Sequence, residues 1–337
     1  MACNRERYLD IVKGWGIWCI VLMHYECGVF PDKLNIFVGS YMITLFYVVS
    51  GTLMARRDEP MSTKILFLRR LRQLGIPYLW WSILILLFDS LLWGIGYYDG
   101  YMIAREAYKT VVLRGIGTLW FLPALFFGEL IWNYLKDRRA IVIVIMMAVT
   151  VSYGYFYSYV FDGQNEMIYR IIDAPFRTLN NVCGAVIGIA FGWVFYKMAA
   201  RKIEDSKKYI LMLFGFLLCI LAFFTANYLH IIVGEANRYL WRFFAPLIGP
   251  VGFIVLAKSL DSFRVMSFLE YWGRNSLLLM VMHYSLVLVL CQIIDQYILG
   301  HTSFIGIMTL VYFVASVPVL YFLSQLINKR GLFLLCK

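Results

Sequence analysis

The sequence predicts an all-α polytopic integral membrane protein, with about ten transmembrane helices in one bundle and both termini in the cytoplasm. Three observations carry this. The chain is 62% hydrophobic and only 15% charged, with a mean hydropathy of +0.73, which excludes an ordinary soluble domain. Apolar runs of about 20 residues recur along it, at roughly 14–31, 36–54, 75–95, 118–135, 140–159, 180–197, 209–229, 241–258, 275–295 and 303–327. With these spans, 23 of the 31 Lys and Arg residues fall on segments sharing a side with the N-terminus, and 8 on the other side. That asymmetry places both termini in the cytoplasm. Residues 1–337 read as a single transmembrane domain. The net charge of +11 reflects the inner loops; it marks a bilayer partner and no nucleic acid.

The first run, Lys13 to Phe30, follows Arg5 and Arg7 like the start of a signal peptide. It lacks a small-x-small cleavage site and holds His24 and Glu26, so it reads as a retained first helix. Ten residues separate Lys13 from His24. At about 100° per residue the two share a helix face, roughly 16 Å apart. Asp10 falls near the same stripe as a partner for Lys13. An intramembrane imidazole is a functional-site candidate, or else a polar group bonding one helix to another.

The loop from Ala55 to Leu74 is the most basic part of the chain. Ser62 suits a helix cap, and Pro77 the first turn of the third span. Arg69, Arg70 and Arg72 fit either lipid headgroups at an interfacial helix or a phosphate ligand gripped by forked guanidinium donors. In the fourth span Pro123 predicts a kink or a re-entrant turn. Glu129, inside an apolar run, is expected to pair with a base or face water. Gly184, Gly188 and Gly192 are spaced four apart and predict a helix-packing face. Pro246 and Pro250 are expected to break the eighth span.

The long outer segments, Tyr97–Gly117 and Tyr153–Asn181, read as loops. The second mixes Tyr and Phe with Asp162, Glu166, Arg170, Asp173, Arg177, Asn180 and Asn181. It suits a sugar acceptor, or equally an interfacial aromatic belt. The ninth span opens at Arg274 and Asn275, with His283 about 12 Å in. His24 and His283 thus reach similar depth and suggest a polar chamber. His230 and His301 fall at outer ends and carry no such signal. Seven cysteines lie mostly in or beside apolar segments without a CxxC pair, so neither a disulfide framework nor a metal site is expected.

Together several stretches resemble the acyltransferase 3 family of membrane acyltransferases. YLDIVKGWGIWCIVLMH is similar to the family's basic-residue–ten–histidine pattern, with Lys13 in place of the more usual arginine. FYVVSGTLM resembles its second-span Ser-Gly motif, and FLRRLRQLGIPYLWW its RxxR motif, carried by Arg69 and Arg72. TLWFLPALF and NSLLLMVMH resemble its Trp-Phe-Leu and late Asn-Ser…His segments. No SGNH-type domain, which some relatives carry, is expected after the tenth span.

The resemblance implies a multi-pass protein of the bacterial inner membrane that moves an acyl group, most often acetyl, from acetyl-CoA to a carbohydrate hydroxyl. It also implies His24 as the central catalytic residue. Acetyl-CoA is then a donor substrate, with no permanently bound cofactor; the other partner is a cell-surface glycan or lipid-linked sugar. In this reading Arg69, Arg72 and Arg70 hold the CoA phosphates, and Lys13 orders the entrance with Asp10. His24 is the general base on the hydroxyl or a transient acyl carrier. His283 or Asn275 assists by orientation or oxyanion stabilisation. A proton-coupled transporter or a polysaccharide export component is the rival reading, although the two halves show no repeated motif order.

Overall fold

The computed structural model describes residues 6–26, 28–57, 61–135, 139–161, 167–232, 234–300 and 306–330, which are helical with no strand among them. The order begins α1 (Arg7–Tyr25), α2 (Asp32–Tyr41), α3 (Thr44–Ala55), α4 (Thr63–Arg70) and α5 (Ile76–Gly94). It continues with α6 (Gly100–Val111), α7 (Phe121–Tyr134), α8 (Arg139–Phe156), α9 (Met167–Asp205) and α10 (Lys208–Ile232). It closes with α11 (Gly234–Leu260), α12 (Ser267–Arg274), α13 (Ser276–Met282), α14 (Val289–Ile293) and α15 (Ile307–Arg330). Short π-helical turns at Leu71–Gly75, Tyr157–Phe161, His283–Leu288 and Ile294–Ile298 interrupt these helices.

Among the described residues, six stretches are long and apolar enough to cross a membrane: Asp32–Ala55, Thr63–Gly94, Met167–Ala199, Lys208–Tyr228, Ser276–Ile298 and Ile307–Lys329. Two shorter apolar helices, Ala140–Gly154 and Pro246–Leu260, accompany them. The other two predicted spans fall on α7, which is 14 residues long, and on α1, which carries Arg7, Asp10 and Lys13. Length and apolarity therefore support six spans plainly, where ten are expected.

The first helix is the axis of the core. Ile17 and Val21 are fully buried, and α3, α11, α12, α13 and α15 all pack on it. The helices meet at glycine. A methyl on Gly14 would strike the Leu269 carbonyl, and one on Gly51 or Gly192 would strike the backbone of the facing helix across the α3–α9 contact. Removing the side chain lets the backbones approach to this distance, which is how apolar helices gain dispersion contact inside a membrane. Gly188 takes part against Tyr47, but a methyl on Gly184 would meet open space, so the predicted packing face ends one turn early. Outward-facing Leu87, Leu91, Leu213, Phe216 and Phe224 remain exposed on α5 and α10, as expected of surfaces meeting lipid.

Both ends of the described chain reach the same end of the bundle. Arg7 bonds Glu270 at 2.7 Å, and Asn328 near the end of α15 bonds Asn275 at 2.8 Å, both on or beside α12. Arg56 at the end of α3 joins them through Glu6 at 2.8 Å.

Three expectations need correction. Pro123 neither kinks α7 nor turns the chain back, because it falls in the first turn, where a missing N–H costs little. Pro246 and Pro250 lie inside α11, which runs on through both; neighbouring helices tolerate such prolines in membrane proteins. Tyr97–Gly117 is no simple loop. It holds α6, which folds back along α5 until the Tyr78 hydroxyl donates to the Thr110 carbonyl at 2.8 Å. Tyr78 is in the first turn of α5, eleven residues or about 16 Å before Asp89. The Tyr153–Asn181 segment is largely helical too, in α8 and α9. Asp162, Glu166 and His301 lie outside the described residues, as does the side chain of His230.

Candidate active site

His24 sits in the last turn of α1 and His283 where α13 passes into a π-helical turn. The structure brings them together: His283 Nε2 lies 3.1 Å from His24 Nδ1. Each ring also faces a carbonyl four residues earlier, His24 Nδ1 at 2.8 Å from Ile20 O and His283 Nδ1 at 2.7 Å from Leu279 O. A carbonyl only accepts, so both Nδ1 atoms carry hydrogen. His283 Nε2 is then an acceptor, and the His24 N–H is shared between it and Ile20 O. This tautomer leaves the lone pair of His24 on Nε2. His283 is fully buried and His24 half-buried.

The wider π register at His283–Leu288 is a common device at functional sites. It is braced by the stretch before α7. Thr118 Oγ1 donates to Met280 O at 2.6 Å, and Gly117 abuts Tyr284 and Ser285. Leu113, Gly115 and Gly117 all have positive φ, and for a leucine this backbone is a real strain. The Tyr284 ring lies 4.7 Å from that of His24. Its neighbourhood also forms a cavity of about 340 Å³ lined by Asp89, Tyr98, Glu106, Tyr284, Ser285 and Gln292. Asp89 and Glu106 are both 3% exposed.

A larger cavity of about 520 Å³ adjoins it between α6 and α9, with Tyr101, Tyr108, Arg170, Asp173 and Arg177 in its wall. Arg105, Lys109 and Arg114 line both cavities. The two long outer segments, Tyr97–Gly117 and Tyr153–Asn181, therefore meet here. Asn180 and Asn181 of the same set line a separate, uncharged cavity of about 490 Å³ with Asn35, Ser40 and Tyr47, and Gly184 opens into it.

The remaining predicted residues lie towards the end with the chain termini. Lys13 Nζ pairs with Asp10 at 2.6 Å, and Arg274 approaches the same carboxylate at 3.5 Å. Asn275 donates to Tyr271 O at 2.9 Å and accepts from Asn328; the structure does not bring it to the histidines. The three arginines divide. Arg70 pairs with Glu129, which is 1% exposed and also accepts from Ser50, and Arg70 bonds Gln73 at 2.6 Å. Arg69 and Arg72 are exposed and make no hydrogen bond or ion pair among the described residues. Ser62 caps α4 and Pro77 opens α5 as predicted.

The sequence reading missed Asp89, Glu106 and Tyr284. Asp89 carried the strongest signal, as a lone acid within an apolar run, the same signal that singled out Glu129.

The family model described as an acyltransferase domain matches residues 6–329. No curated protein matches the chain, and no solved structure does. With a match over nearly all of its length, the chain belongs to the acyltransferase 3 family.

Proposed function

We propose that the protein is a membrane O-acyltransferase that moves an acyl group, acetyl first of all, from cytoplasmic acyl-CoA to a hydroxyl of a cell-surface or lipid-linked glycan. The observation that carries this reading is the His24–His283 pair, whose tautomer leaves a lone pair on His24 Nε2. An alcohol attacks a thioester slowly until a base takes its proton, and a neutral imidazole suits that task. His24 Nε2 takes the hydroxyl proton as the oxygen bonds to the acyl carbon. The C–S bond then breaks, and the proton passes to the leaving CoA sulfur. His283 is the positioning residue. Its Nε2 accepts from His24 Nδ1–H, fixing the ring and favouring the imidazolium that forms, in the manner of the third member of a hydrolase triad.

The chain-terminal end of the bundle faces the cytoplasm of a bacterial inner membrane in this reading, supported by the Lys and Arg asymmetry. There Arg69 and Arg72 grip the CoA phosphates, which suits guanidinium groups left exposed and unpaired. Arg70 holds that segment to α7 through Glu129. Lys13 and Asp10 order the entrance.

The test uses full-length protein in nanodiscs with acetyl-labelled acetyl-CoA, measuring binding and thiol release. Wild type should bind saturably and release thiol. His24→Ala should keep binding and lose transfer by about 10²–10⁴-fold. A fully active His24→Ala removes the histidine role. Absence of acetyl-CoA binding in wild type removes the enzyme reading and moves proton-coupled transport to first place.

A further inference from the structure

The polar wall between the two adjoining cavities carries chemistry that acyl transfer alone does not require. Of the eight Lys and Arg residues that the hydropathy pattern places away from the N-terminal side, five line these cavities: Arg105, Lys109, Arg114, Arg170 and Arg177. Cations are depleted on that side, so their gathering at one place calls for a counter-charge. Against these five cations the cavity walls set three carboxylates, Asp89, Glu106 and Asp173. Glu106 Oε1 accepts from both Arg105 and Lys109 at 2.8 Å, so one carboxylate is shared by two cations. Asp173 pairs with Arg177 and accepts from Tyr153 at 2.8 Å.

Arg114 has no such partner. Among the described residues it makes no hydrogen bond or ion pair, and its guanidinium lies 6.0 Å from the centre of the Trp120 ring. Desolvation by burial, and then repulsion from Arg177, push its pKa below the ordinary arginine range. Its backbone is fixed by positive φ at Leu113 and Gly115 on either side, and a methyl on Gly115 would strike Trp120. Asp173 and Glu106 act on it only at a distance; a guanidinium held rigidly, partly desolvated and without a carboxylate bonded to it among the described residues is a preformed anion site.

Position defines the anion. Arg114, Arg105 and Lys109 border the cavity that Tyr284 separates from His24. A sugar in that cavity would lie against Tyr284, whose ring is 4.7 Å from that of His24, and Asp89, Glu106 and Gln292 offer acceptors and donors to its hydroxyls. A charged substituent of the same sugar, or of its neighbour, would meet the arginine wall.

We propose that the acceptor is an anionic glycan, whose phosphate or carboxylate is bound by Arg114 with Arg105 and Lys109 beside the sugar that is acylated. The proposal rests on the acyltransferase reading for its acceptor role, but the anion site is tested without turnover.

Titrate the full-length protein in nanodiscs with glucose 1-phosphate, glucuronate and glucose as probes, following binding by thermal shift or calorimetry. The two anions should bind at least about tenfold more tightly than glucose, and the tighter of them identifies phosphate or carboxylate as the natural group. Arg114→Gln should erase the preference, and Arg170→Gln, at the far wall, should reduce it less. Lys33→Gln, an exposed cation outside both cavities, should leave it intact. Acetyl-CoA binding, measured on the same samples, should be unchanged in all variants, which also shows that they are folded. Equal binding of glucose and the anions, no binding of either anion, or a preference that survives Arg114→Gln overturns the proposal. Loss of acetyl-CoA binding in wild type would instead overturn the acyltransferase reading, while the anion result would stand.

Discussion

The molecule holds two groups of cations, and they are built oppositely. Arg69 and Arg72 stand exposed on a short helix and π turn, unpaired among the described residues. Arg105, Lys109 and Arg114 sit half-buried in the wall of two partly open cavities, on a helix folded back along its neighbour and a strained turn beyond it. An exposed pair can follow a mobile ligand and depends on water to screen it when empty. A half-buried group is screened less by water, so Arg105 and Lys109 share the Glu106 carboxylate, while Arg114 has none bonded to it among the described residues. The difference suits a diffusible phosphate-bearing donor at one end and a positioned acceptor at the other. The histidine pair lies between them in this reading.

The comparison can be broken most severely at its midpoint. His24→Ala should lower acyl transfer by about 10²–10⁴-fold and leave ligand affinity at either end unchanged, as read by kcat against binding constants. The next largest effect falls inside the first group. Arg70→Ala leaves the deeply buried Glu129 carboxylate without its base, and should cost about 3–5 kcal/mol in unfolding free energy by denaturant titration. Arg69→Ala and Arg72→Ala, made singly, should each leave stability within about 0.5 kcal/mol and each raise the acetyl-CoA KM by roughly 10–100-fold, since one lost charge-assisted bond counts about 1.5–3 kcal/mol. Equal stability loss for Arg69 and Arg70 variants would erase the distinction between donor grip and structural tie. The smallest contrast is steric. Gly192→Ala should destabilise by about 1–3 kcal/mol through overpacking against α3, whereas Gly184→Ala, facing a cavity, should change stability by less than about 0.5 kcal/mol.

Local rules made much of this legible. The spacing of Lys13 and His24, the Asp10–Lys13 pair, the Ser62 cap and the basic partner of Glu129 follow from helix geometry and the cost of a charge among apolar groups. Both histidines were legible as intramembrane polar groups, but their 3.1 Å contact joins residues 259 apart in the chain, which no local rule fixes. The fold-back of α6 was hidden for a different reason. Arg105, Glu106, Lys109 and Arg114 make that segment too polar to read as buried. Only tertiary pairing, with Tyr78 bonding Thr110 and Thr178 donating to Val112 O at 3.1 Å, draws it inward. Arg70 looked like a partner of Arg69 and Arg72, but it pairs with Glu129, the carboxylate that also accepts from Ser50.

The returning course of α6 has an evolutionary consequence. The segment from Ile95 to Trp120 starts and finishes on scaffold helices, and carries Arg105, Lys109 and Arg114, which line both adjoining cavities, while the histidine pair belongs to α1 and the turn after α13. On the proposed reading, three of the five cations that meet the acceptor are thus written on a piece of chain apart from the histidines. Mutations in this one cassette would then retune which acceptor is modified while the reaction stays the same, so a lineage could diversify its surface chemistry by drift in some two dozen positions.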